Sequence, residues 1–390
     1  MQFELPTPSA EALAHSESLS QHLRQQIAVA GGWLSFADYM DLALYAPGLG
    51  YYSAGASKFG ASGDFVTAPE ISPVFSQCLA GQCAEILENI GGGSILELGA
   101  GTGTMLTDVL LEMERLNKLP VEYLVLEPSA DLRARQAETL QARAPQFAGR
   151  VRWLDGAPDG GLRGVILANE VVDALPVNRF VIESGEICEL GVVIEGTQFG
   201  WSAREASSGM LAALSYVAPL AGGGVPDGYT SEVCLRLPAW VELLGSWLDE
   251  GAALLLDYGF PRREYYLPER SSGTLRCYYR HRAHEDPFLW PGLQDVTAWV
   301  DFSLLAEAAE QAGLEVAGYT TQANFLLAAG IDERVAAAAA DPRAQIAMAA
   351  GLRQLLLPGE MGEAVKVMAL TSGGADAPSG MFGRDLRSRL

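Results

Sequence analysis

The chain has 390 residues, is 49% hydrophobic and carries a formal net charge of −22. That length holds one large decorated domain or two, with enough apolar residues for a sizeable core. So acidic a surface repels phosphate backbones and anionic lipid, which argues against a nucleic-acid partner, and no uninterrupted apolar run is long enough for membrane insertion.

The N-terminus, Met1 to Glu17, is acidic and has no basic stretch leading into an apolar one, unlike a signal or transit peptide. The five cysteines are odd in number and show no metal-type pairing, so they read as buried reduced thiols of a cytoplasmic protein. Residues 16–46 read as helical from the spacing of Leu19, Leu23, Ile27 and of Phe36, Met40, Leu44, with Pro47-Gly48 as the stop. A glycine-rich run, 55–63, leads into Gly63-Asp64-Phe65-Val66-Thr67-Ala68-Pro69-Glu70-Ile71-Ser72. That loop is either a lid over a ligand or a packed connector. Ser72-Pro73 has the form of an N-cap followed by proline at the first helical position, opening a helix over 74–89.

Ser94-Ile95-Leu96-Glu97-Leu98-Gly99-Ala100-Gly101-Thr102-Gly103-Thr104 reads as a buried strand, a tight glycine turn and the start of a helix. Its G-x-G-x-G spacing differs from the G-x-G-x-x-G of dinucleotide enzymes. Glu97 would disfavour a diphosphate but suit a cationic amine, as in S-adenosylmethionine. Residues 121–126 form a second strand ending in Glu127, where a carboxylate can accept both hydroxyls of a ribose. A third short strand ends at Asp155-Gly156, a place to meet an adenine edge or a plain turn. A fourth apolar strand, 164–168, ends in Asn169-Glu170-Val171-Val172-Asp173. Two carboxylates and an amide thus stand at the carboxyl end of a parallel sheet, where open α/β folds bind ligands; the alternative is helix capping.

From 178 to 204 the pattern alternates, as in an antiparallel excursion. A helix over 238–248 and a strand over 251–256 follow. Residues 261–295 hold a basic, aromatic patch in an acidic chain. There His281, His284 and Asp286 fit loop anchors or a substrate pocket better than a metal site, because no further His lies nearby. A helix over 301–312, a strand over 314–319, a helical stretch over 326–357 and a strand over 361–371 complete the chain, before a tail, 372–390, that reads as disordered.

Glu97-Leu-Gly-Ala-Gly-Thr-Gly resembles the first motif of class I S-adenosylmethionine-dependent methyltransferases. Further runs resemble the MidA family, whose mitochondrial member is a respiratory complex I assembly factor that dimethylates an arginine. They are Asp38-Tyr-Met with Gly50-Tyr-Tyr, the 63–72 loop, Asn169-Glu-Val-Val-Asp-Ala-Leu-Pro-Val177, Gln294-Asp-Val-Thr-Ala-Trp-Val-Asp-Phe302 and Leu357-Pro-Gly-Glu-Met-Gly-Glu363. The resemblance implies an α/β fold with a Rossmann-like seven-stranded sheet, a helical N-terminal extension and β/loop insertions.

By residue, it matches Glu97, Gly99, Gly101 and Gly103 to the cofactor turn and Glu127 to the ribose acid. Gly63, Asp64, Thr67 and Ser72 match the segment that closes near the cofactor. Asn169, Glu170 and Asp173 match the fourth-strand motif and are the catalytic candidates. The implied organisation runs from an N-terminal segment and lid over 1–73 to a cofactor-binding core over 74–177 and a β-rich insertion with a helix over 178–250. A core strand over 251–260, a substrate insertion over 261–300 and core completion over 301–371 follow. The expectation is a bacterial cytoplasmic methyltransferase acting on a protein substrate, with arginine as the acceptor in the mitochondrial relative. A small-molecule methyltransferase, a dinucleotide oxidoreductase and an assembly protein that binds the cofactor without turnover are the alternatives. Whether a homodimer forms stays open.

Overall fold

The computed structural model describes residues 5–53, 67–158, 160–217, 219, 224–338 and 342–390. The chain divides into two compact units. One comprises Val66–Val172, Pro238–Pro261 and Phe302–Leu390; the other comprises Met1–Phe65, Asp173–Leu237 and Arg262–Asp301. Both are assembled from separated stretches of sequence.

The first unit is a sheet covered by helices. In chain order its strands are β1 (Ser94–Leu98), β2 (Tyr123–Leu126), β3 (Val151–Leu154), β4 (Leu162–Asn169), β5 (Leu248–Phe260), β6 (Glu315–Thr321) and β7 (Val365–Ser372). They lie side by side as β6-β7-β5-β4-β1-β2-β3. The β5-β4-β1-β2-β3 block is parallel, whereas β7 runs antiparallel to both β5 and β6. Ile95, Leu96, Val165, Ile166, Leu167, Ala252, Ala253 and Leu254 have no exposed surface, the continuous apolar pattern of strands covered on both faces. The order reverses between β4 and β1, so their carboxyl ends form a switch point.

The helices of this unit that bear on the site are α1 (Ala68–Ile71), α2 (Pro73–Asn89), α3 (Thr104–Arg115) and α4 (Ala130–Arg143). Ser72 caps α2 by accepting from the Val74 N–H, with Pro73 at the first position, as the sequence predicts. Gly103 opens α3 in the left-handed region, and Ser129 caps α4 by accepting from the Leu132 N–H. The expected helical stretch 326–357 is divided into Gln322–Ala328, Ile331–Ala338 and Pro342–Leu356, with Gly330 at φ +78° at the first break.

The final strand starts later than expected, because 361–364 forms a helical turn first. The tail is not the disordered segment that its composition suggests. The Ser379 hydroxyl donates to Glu85, the Gly380 N–H donates to Gln82 at 2.6 Å, and Met381 is buried against Gly318. The Leu386 N–H donates to the Tyr319 carbonyl at 2.7 Å.

The second unit is β-rich. Strands 178–183, 186–195 and 198–205 form an antiparallel meander through turns at Ser184-Gly185 and Gly196. Strand 230–233 pairs with 178–183 at one edge, and the short strand 34–35 pairs with the middle strand at Gly191 and Val192. A small three-stranded sheet joins 276–279, 282–284 and 295–297. The expected helix over 16–46 is two helices, Ala10–Val29 and Phe36–Tyr45. Gly31 and Gly32 break it at φ +79° and +92°, and Ser35 caps the second helix. The core of this unit gathers Leu19, Leu23, Phe36, Tyr39, Met40 and Val192.

Candidate active site

The site is built at the carboxyl ends of β1, β2, β4 and β5. β1 delivers Glu97, which is only 1% exposed and accepts a hydrogen bond from the Tyr123 hydroxyl at 2.7 Å. Burial raises its carboxyl pKa from 4.5 to about 7; the Tyr123 bond opposes this and the Glu127 charge adds to it. The turn that follows places Gly99, Gly101 and Gly103 at φ values of +63°, +52° and +82°. A Cβ on Gly101 would meet no atom within 4 Å, so the turn fronts open space; a Cβ on Gly103 would stand 2.9 Å from the Gln136 Cα.

At the tip of β2, Glu127 is 4% exposed and accepts from the Ser129 N–H at 3.0 Å and from Gln136 Nε2 at 3.2 Å. Burial raises its pKa too. Gln136, on α4, is the centre of this region. Its Nε2 also donates to the Gly101 carbonyl at 3.1 Å, and its Oε1 accepts from Trp153 Nε1 at 2.8 Å. One fully buried amide therefore ties the glycine turn, the β2 acid and β3 together. Nothing in the sequence marks it, because its partners lie up to 35 residues away. Asp155 ends β3 with a side chain 96% exposed, paired with Arg133 at 2.6 Å.

β4 ends in Asn169, and Glu170 follows it. Glu170 is in the left-handed region at φ +53°, uncommon for a residue with a side chain. Its Oε1 accepts from the Ala68 N–H at 3.3 Å and from Asn169 Nδ2 at 3.2 Å. Withdrawal of the carboxyl from water raises its pKa to about 8; Asp257 and Glu70 push the same way against the two hydrogen bonds. α1 thus touches the site twice, because Glu70 also accepts from the Thr102 hydroxyl of the glycine turn at 3.0 Å. Thr67 caps α1 without a side-chain bond. Gly63 and Asp64 lie outside the described residues.

Of the predicted residues, Glu97, the three glycines, Glu127, Asn169 and Glu170 share one edge of one unit. Asp173 belongs to the other unit, where it is 8% exposed and its carbonyl accepts from the Ala298 N–H. His281, His284 and Asp286 also belong there. His281 is exposed at φ +59°. His284 Nδ1 accepts from the Asp286 N–H at 3.3 Å, and Asp286 accepts from the Phe288 N–H at 2.9 Å. Burial lowers the His284 pKa. This is a self-bonded loop. Among the described residues, no group of three or more His, Cys, Asp or Glu is placed to hold a metal ion, and no helix is long and apolar enough to cross a membrane.

The edge fits S-adenosylmethionine. Gly101 leaves room where any side chain would intrude. Glu127 offers a carboxylate for a diol, and buried Glu97 is an acid whose ionised form needs a cation such as an α-ammonium. The acids gathered here suit a ligand without phosphate.

Comparison with known proteins agrees with this chemistry. The family model Methyltransf_28, which describes S-adenosyl-L-methionine-dependent methyltransferases, matches residues 78–320. The chain is 31% identical over 386 residues to Protein arginine methyltransferase NDUFAF7, mitochondrial, of Danio rerio, covering 91% of this chain and 87% of the relative. The Drosophila melanogaster homologue is 29% identical over 95% of this chain and 88% of its own. A COG1565 superfamily member from Burkholderia thailandensis, crystallised with S-adenosyl-homocysteine, superposes with a TM-score of 0.93 at 44% identity, over 99% of this chain and 100% of the other. With a family model spanning most of the sheet and relatives aligned over nearly the whole length, the chain belongs to the Methyltransf_28 family of S-adenosyl-L-methionine-dependent methyltransferases.

Proposed function

We propose that this methyltransferase acts on an arginine side chain of a protein substrate, with Glu170 as the proton acceptor. The observation that carries the reading is the Glu170 carboxyl, held at the strand ends by the Ala68 N–H and Asn169 Nδ2, with the acids Asp257 and Glu70 acting on it. Acids this close favour a cationic acceptor, and a guanidinium offers paired N–H donors to a carboxylate. The relatives named as protein arginine methyltransferases support the same choice.

When bound, S-adenosylmethionine supplies an electrophilic methyl group on a sulfonium. The chain's own residues do the rest. Glu127 holds the ribose and Glu97 the ammonium, while the glycine turn lets the backbone approach. Asn169 and the Ala68 N–H fix Glu170 Oε1. A cationic guanidinium nitrogen that gains a methyl group must release one proton. Glu170 takes it, and its raised pKa makes it a better acceptor near neutrality than an ordinary carboxylate.

The test is transfer of labelled methyl from S-adenosylmethionine to cellular protein, followed by hydrolysis and chromatography for methylarginines. Glu170→Gln lowers turnover by about 10²–10⁴-fold while S-adenosylhomocysteine affinity stays within about threefold. Label found only in small molecules, or intact turnover in the variant, overturns the proposal.

A further inference from the structure

We infer that Asp257, at the carboxyl end of β5, is the positioning residue that holds Glu170 in its working orientation; this rests on the reading of Glu170 above. Asp257 is 1% exposed. Its Oδ2 accepts from the Val171 N–H at 3.1 Å and the Val172 N–H at 2.8 Å, and its Oδ1 accepts from the Tyr258 N–H at 2.8 Å. The Glu170 N–H donates to the neighbouring Leu256 carbonyl at 2.8 Å. β5 therefore grips the backbone on both sides of the Glu170 Cα. Glu170 is the residue at φ +53°, a conformation that persists only where its surroundings impose it. The Val171 Cγ2 would stand 3.2 Å from a Cβ on Gly99, so the same turn rests on the glycine turn of β1.

A capping aspartate that merely closed a turn would satisfy backbone donors and nothing more. Asp257 also places a negative charge beside Glu170. Among the described residues, the groups that face Glu170 include the Ala68 N–H and Glu70 from α1, Asn169 from β4 and Asp257 from β5. The α1 and β4 donors favour the ionised carboxylate; the two acids favour the protonated one. Asp257 thus has two effects on one side chain. It fixes where the carboxyl stands, and it strengthens the carboxyl's hold on a proton.

The experiment is a double-mutant cycle of Asp257→Asn and Glu170→Gln, read as kcat over a pH series with S-adenosylhomocysteine affinity measured alongside. Asparagine keeps the size but removes the charge and one acceptor. Asp257→Asn lowers kcat at least tenfold with S-adenosylhomocysteine affinity within threefold, and the acidic limb of the activity profile moves to lower pH. The double variant is no slower than Glu170→Gln within threefold. If Glu170→Gln is slowed as expected but adding Asp257→Asn slows it again by that substitution's own full factor, or if Asp257→Asn leaves the pH profile unmoved, the inference is overturned while the reading of Glu170 stands. An active Glu170→Gln overturns both. If Asp257→Asn does not fold, Asp257→Ser keeps a capping oxygen without the charge and is read the same way.

Discussion

Replacing Glu97 with Gln separates what the acid does for binding from what it costs the fold. The carboxyl is buried and its pKa is raised from 4.5 to about 7. Below 4.5 it is protonated in both folded and unfolded chains. Between 4.5 and 7 the unfolded chain ionises while the folded one holds its proton, so stability falls as pH rises and levels off above 7. The cost at pH 8 is ~3 kcal/mol, and at pH 5 it is below ~1 kcal/mol. Glutamine fills the same space, and its oxygen still accepts from the Tyr123 hydroxyl. In scanning fluorimetry without ligand, Glu97→Gln therefore gains roughly 4–6 °C in Tm at pH 8 and about 1 °C at pH 5. Calorimetric titration at pH 8 shows the opposite for function: S-adenosylmethionine affinity drops about 10–100-fold, the loss of a charged partner for the ammonium. An equal or lower Tm at pH 8, or a gain that does not depend on pH, refutes the reasoning.

Two further substitutions test the rest of the cofactor edge. Gly101→Val places a branched side chain at φ +52° and in the open space before the turn; S-adenosylhomocysteine binding is lost in calorimetry, while the Tm falls by only a few degrees, as about 1–2 kcal/mol of backbone strain implies. Gln136→Leu removes the donor shared by Gly101 and Glu127 and strands the Trp153 N–H, so the same titration gives an affinity about tenfold weaker or worse and the Tm falls, since buried groups are left unpaired. Wild-type affinity in the leucine variant removes Gln136 from the site.

The glycine turn and the strand-end acids were legible in the sequence because their signals are local. An apolar run, three glycines and acids at strand ends lie within a few residues of one another, and strand ends converge in any parallel sheet. Ser72-Pro73 announced α2 for the same reason. What escaped was long-range. Gln136 looks like any polar residue on a helix until Gly101 and Trp153 are brought to it, and Asp257 looks like a turn residue until β5 is laid beside β4. The tail misled through its composition, since glycine, proline and charge hide the few anchors, Ser379, Gly380 and Met381, that hold it. The break at Gly31-Gly32 was visible but was outweighed by matching apolar spacing on both sides. Residue type alone reads the histidine loop as anchors or a substrate pocket; in the structure His284 Nδ1 accepts from the Asp286 N–H within that loop.

The position of β7 also sets a timetable for biogenesis. β7 fills the place between β5 and β6, yet it comes last in chain order among the seven strands of this sheet. Residues 261–364 separate it from β5, which at about 5–20 residues per second is roughly 5–20 s of translation. Through that interval the nascent chain carries β5 without its final neighbour, and its Ala252–Leu256 stretch, buried in the finished sheet, is an unpaired apolar edge. Closure of the sheet is therefore a late event in synthesis.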